Sequence, residues 1–229
     1  MPAYTTTIYA LVLGILPALF WLWFWLREDR LRPEPRTRVA LTFLAGMVAV
    51  FFVLPIEKFV SGAAISGISL LVIFLWALIE EIFKYLAAYW SALRSREVDE
   101  PIDPLIYMIT AALGFSALEN ALFLWNIIDV GFLPQGIITG STRFLGASLL
   151  HVASSAAIGI MMGLSFYKRP FVRKIFLSTG LGLAVLLHTL FNLFIIKLES
   201  EIFIVFTGVW VLIIILIALF EKIKSLKWL

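Results

Sequence analysis

Glu80 and Glu81, with Lys84 one turn on, stand inside the apolar and aromatic run WALIEEIFKYLAAYW, residues 76–90. An ionisable group at the centre of a membrane span costs roughly 2.5–3.5 kcal/mol on insertion scales. Three of them in one helical turn need partners or a task. On a helix, Glu80 and Lys84 are i,i+4 and Glu81 and Lys84 are i,i+3, so Lys84 is expected to pair with one carboxylate and leave the other free. Downstream, GFSALENALF carries Glu119 and Asn120, LLHVASS carries His151, Ser154 and Ser155, and LLHTLFNLF carries His188 and Asn192. These are the chain's two histidines. Two imidazoles and up to three carboxylates suit a divalent metal such as zinc. An open position on such a metal would activate water, with a glutamate as general base. In a metal-free version, one glutamate of the pair activates water directly. No HExxH pattern supports the metal.

Blander roles are expected for several polar groups. Lys84 reads as a counter-charge, and Asn192, Ser154 and Ser155 as hydrogen-bonding glue between helices. Arg143, near a span end, reads as a side chain that snorkels to the interface. Buried Glu and His chains also serve transporters and proton relays, which is the competing class.

The elements that position these residues are membrane spans. The chain is 62% hydrophobic with a mean hydropathy of +1.03, against about 45–50% apolar for soluble domains. Several apolar runs approach or exceed about 20 residues, the length that crosses a bilayer. The expected fold is therefore an all-α polytopic bundle. Seven spans are expected, at about 7–26, 39–56, 66–91, 104–128, 142–166, 172–196 and 202–221. The first lacks a positive n-region and a small-residue cleavage site, and reads as a retained anchor. The absence of cysteine excludes thiol nucleophiles, disulfides and cysteine-ligated zinc. A net charge of +3, with the basic residues near span ends, argues for membrane topology and against nucleic-acid binding. Without repeats or long linkers, residues 1–229 read as one domain, its motif-bearing core at about 66–197.

Basic residues fix the expected orientation. Fourteen fall on one side of the seven-span arrangement, including Arg27, Arg38, Arg94, Arg173 and Lys224, and three on the other: Lys58, Arg143 and Lys197. This bias places the N-terminus outside and the C-terminus in the cytoplasm. Glu80 and Glu81 then lie near the midplane, while Glu119, His151 and His188 lie outward by at most roughly 5–6 Å. Four consecutive spans bring their ionisable residues into one slab, the pattern of a bundle-core site.

EEIFK at 80–84, FSALEN at 115–120, RFLGASLLH at 143–151 and HTLFN at 188–192 occur in that order. In this the chain resembles the PrsW family of intramembrane metalloproteases, related to the CAAX prenyl proteases and to bacteriocin-processing or immunity proteins. The resemblance covers about half of the chain, residues 75–195. It implies an intramembrane endopeptidase that cuts membrane-anchored proteins, anti-sigma factors among them. It implies catalytic Glu80, Glu81, Glu119, His151 and His188, supported by Lys84, Asn120, Asn192 and Arg143. Zinc is the expected cofactor, with His151, His188 and Glu119 as its ligands. Family members often carry Asp at the end of the last motif, where this chain has Asn192. A protease-like immunity protein without activity is a further alternative, which the intact set of glutamates and histidines argues against.

Overall fold

A computed structural model describes residues 3–28, 32–63, 69–129, 134, 137–140, 143, 146–197 and 202–226. Among them the chain forms long helices and no strand. They are α1 (Ala3–Glu28), α2 (Arg36–Ala63), α3 (Leu70–Ala88), α4 (Asp103–Asp129), α5 (Ala147–Leu164), α6 (Pro170–Lys197) and α7 (Ile202–Lys224). Six are long and apolar enough to cross a membrane; α3 is the exception because Glu80, Glu81 and Lys84 interrupt it. Of the expected fifth span, residues Thr142, Phe144 and Leu145, the last two within its motif, lie outside the described residues.

α3 starts where Ser69 caps Val72 N–H at 3.4 Å, a side-chain acceptor for one of the orphan donors of a first turn. At its other end the helix widens into a π turn, Tyr89–Leu93. There the Ser91 hydroxyl lies 2.8 Å from Thr42 Oγ1, and the Ser91 carbonyl accepts from Arg38 Nη1 at 3.1 Å, tying α3 to α2. α2 runs past Pro55 to Ala63, about two turns beyond the expected end of the second span.

α4 is the axis of the bundle. Every residue from Asp103 to Leu118 is buried, and α1, α2, α3 and α5 all pack on it. Small residues let the backbones meet, as membrane helices require when lipid is as apolar as their side chains. A Cβ at Gly46 would collide with the Ala111 carbonyl, and one at Gly114 with the Phe43 carbonyl, so α2 and α4 cross backbone to backbone. At one end of α4, Asp103 accepts from the Asp99 and Glu100 amides at 2.8 and 2.7 Å, and Tyr107 donates to buried Glu34. α5 then packs on α4 and α6 on α5, which stacks α3, α4, α5 and α6 around one polar centre.

Candidate active site

Glu81 is the most enclosed member of that centre. Its side chain and that of Lys84 have no exposed surface. Glu81 Oε1 accepts from Lys84 Nζ at 2.8 Å, pairs with His188 Nδ1 at 2.8 Å and accepts from Ser154 Oγ at 3.0 Å, while Oε2 accepts from Ser155 Oγ at 2.7 Å. Such saturation is what lets a carboxylate survive desolvation. Lys84 does not choose between the glutamates: its Nζ is also 3.0 Å from Glu80 Oε2 and 2.8 Å from His151 Nδ1. It further stands over the Phe115 ring, 4.6 Å from the centroid. The ammonium thus hydrogen-bonds Glu81 and His151 and stands in ion-pair range of Glu80 as well, which pairwise helix spacing did not anticipate.

His151 bridges inward and outward. Beyond its contact with Lys84, its Nε2 lies 2.9 Å from Glu119 Oε2. Glu119 is held in turn by Arg143, whose Nη2 is 3.2 Å from Oε1. Arg143 also donates to Asn120, whose amide reaches Ser116 at 3.1 Å and Ser148 at 3.0 Å. Arg143 therefore turns into the bundle and does not snorkel. An arginine fork pairs with a carboxylate and an amide at once, and that outweighs reaching the interface.

All the expected site residues converge. Glu80, Glu119, His151, His188, Arg143 and Asn192 line a cavity of about 210 Å³. Glu81 and Lys84 sit beneath it, and Asn120 supports Arg143 from behind. The grouping best suited to a metal is Glu80, His151 and His188, each offering an atom within 4.8 Å of the others. It contains Glu80 where the expected ligand set has Glu119, which is paired with His151 and Arg143. The donors fit a divalent ion. His188 Nδ1 is fixed by Glu81, which leaves Nε2 facing Glu80 at 3.7 Å; carboxylate-held histidines are the usual outer-shell arrangement of metal sites. Glu80 Oε2 is buried and accepts no hydrogen bond of good geometry, although Lys84 lies beside it.

Glu57 was not expected in the site. It lies on α2, close enough to Glu80, Glu119 and Lys84 for its carboxyl to interact with their charges. The expected second span ends at about 56, and the signal available was a lone acid one residue past it.

Comparison with known proteins decides the family. Residues 34–219 match the PrsW family, described as intramembrane metalloproteases. The chain belongs to that family. The Protease PrsW of Geobacillus kaustophilus is 30% identical over 183 residues, covering 78% of this chain and 76% of the relative. That of Halalkalibacterium halodurans is 29% identical, covering 80% and 81%. That of Bacillus subtilis is 28% identical, covering 83% and 84%. No solved structure matches. The chain is thus an intramembrane protease, a hydrolase, and a multi-pass protein of the cell membrane. Membership favours the enzyme over the relay and over an inactive relative.

Proposed function

We propose that this PrsW-family member is an endopeptidase of membrane-anchored proteins, working at the cavity where Glu80, Glu119, His151 and His188 meet. The observation that carries this is the 4.8 Å grouping of Glu80, His151 and His188 beside a second carboxylate in one cavity. Glu80, His151 and His188 would hold a zinc ion, whose chemistry when bound is to polarise a carbonyl and activate water. Glu119, with a side chain 28% exposed, is the general base of this reading. It takes a proton from water as the oxygen bonds to the peptide carbonyl carbon. The same proton passes to the leaving nitrogen as the C–N bond breaks, giving a carboxylic acid and an amine, which then exchange a proton to become carboxylate and ammonium. Arg143 and the imidazole of His151 hold Glu119 in place, and Arg143 faces the developing negative charge. Glu81 touches no reacting atom. It is a positioning residue that orients His188 and neutralises Lys84.

A helix shields its peptide bonds by internal hydrogen bonding, so the scissile stretch of substrate must unwind to enter. The substrate class implied by the family resemblance is an anti-sigma factor. The reading includes seven crossings, α3 among them, with the N-terminus outside. It also includes a single domain with its core at about 66–197.

Cleavage of a synthetic single-span peptide in liposomes tests the metal. A chelator is expected to stop cleavage and zinc to restore it, with purified wild type carrying about one zinc per chain and His188→Ala carrying none. Full cleavage by metal-free protein would sink the zinc assignment and return the reaction to the glutamates alone.

A further inference from the structure

The catalytic cavity has an apolar neighbour that the reading above leaves unused. Between α6 and α7 runs a groove of about 510 Å³, lined by Leu187, Leu190 and Phe194 on one side and Ile204, Val205 and Gly208 on the other. α7 leans mainly on α5 and touches α6 little, so the groove runs between the C-terminal part of α6 and the N-terminal part of α7. Leu190, Phe194 and Ile204 are exposed, and a Cβ built on Gly208 meets nothing within 4 Å. The groove shares Leu150 and Phe191 with the catalytic cavity. Phe206, one residue from Val205, also lines that cavity, its ring against Gly146, where a Cβ would strike it.

We propose that this groove is the docking site for the transmembrane segment of the substrate, an apolar helix that lies between α6 and α7. Phe206 divides the groove from the hydrolytic cavity. The inference rests on the protease reading and adds the route by which substrate reaches the site.

Three observations commit the groove to this occupant. It lies directly against the hydrolytic cavity, with Leu150 and Phe191 as their common wall, so a segment seated there brings its unwound end beside Glu80 and Glu119. Its walls are apolar, matching a segment that arrives through the bilayer. Gly208 leaves room for a helix backbone, and association of helices in lipid depends on close packing at small residues. Lipid acyl chains are the competing occupant, and they gain nothing from the backbone access that Gly208 gives a helix.

The chain has no cysteine, so one label can be placed at will. Gly208→Cys and Gly182→Cys, each in the Glu80→Gln background, are labelled with an environment-sensitive fluorophore. Both glycines have open space around them, but Gly182 on α6 does not line the groove. The proteins are placed in phosphatidylcholine vesicles with brominated acyl chains, and a lysine-flanked, leucine–alanine single-span peptide is added. At Gly208 the peptide is expected to cut bromine quenching at least twofold, saturably, and at Gly182 to leave it unchanged. A label at Gly208 whose quenching the peptide leaves unaltered means that lipid alone fills the groove and overturns the proposal. So does an equal change at both positions. Because the readout is binding to an inactive variant, it stands or falls separately from cleavage. Loss of the protease reading would leave the displacement intact, and failed displacement would leave wild-type cleavage intact.

Discussion

Lys84 is the residue on which the buried charges depend. Its ammonium lies within 3.0 Å of Glu80, Glu81 and His151, with no exposed surface. Removing one partner of a buried pair leaves an uncompensated charge, typically worth about 3–5 kcal/mol. Lys84→Met is therefore expected to lower unfolding free energy by about that amount, read as a fall in melting temperature in detergent. Glu80→Gln is expected to fold nearly normally, because Glu81 keeps Lys84 paired. A Lys84→Met protein as stable as wild type would mean the cluster is not the electrostatic unit described. The same cluster shows what one-dimensional reading reaches. The residues were legible, because a charge in an apolar run is conspicuous wherever it falls. Their partners were not: Lys84 meets His151 across 67 positions, and helix spacing reports only neighbours on one helix. Arg143 misled for a similar reason, since a basic residue near a span end has the same local signature whether it points out or in. The exchange of Glu119 for Glu80 among the prospective ligands likewise depends on which carboxylate is already engaged.

At the scale of elements, α2 and α4 position the site by approaching more closely than side chains permit. Gly46→Ala or Gly114→Ala would drive a methyl group into the facing carbonyl. Overpacking of this kind costs about 1–3 kcal/mol, and melting should fall accordingly. Gly62→Ala, on the same helix with open space around it, is the control. It should be neutral or stabilising by up to about 1 kcal/mol, since glycine is a poor helix residue. Equal melting for all three would contradict the backbone crossing. Helix existence was readable from hydrophobic length alone: the fourth span was expected at about 104–128, and α4 runs Asp103–Asp129. The end of α2 was not. The second span was expected to end at about 56, close to Pro55, yet in lipid a proline is tolerated within a helix when neighbours satisfy the freed backbone groups. The extra turns bring Glu57 to the site.

For the whole molecule, the basic residues predict sidedness. A single cysteine replacing Lys224 should react with a membrane-impermeant maleimide only after cells are opened. Labelling in intact cells would invert the proposed topology. Within that frame the central claim is that one Glu/His cluster, shared by four helices, hydrolyses peptide bonds in the membrane. Members of a single catalytic unit lose activity non-additively, each removal costing roughly 10³-fold or more. The most direct test is cleavage of a single-span peptide in liposomes by wild type and by the Glu80→Gln, Glu81→Gln double variant, both shown to be folded by thermal melting. The account predicts cleavage by wild type and a loss of roughly 10³-fold or more in the double variant. Undiminished cleavage by the double variant would contradict it.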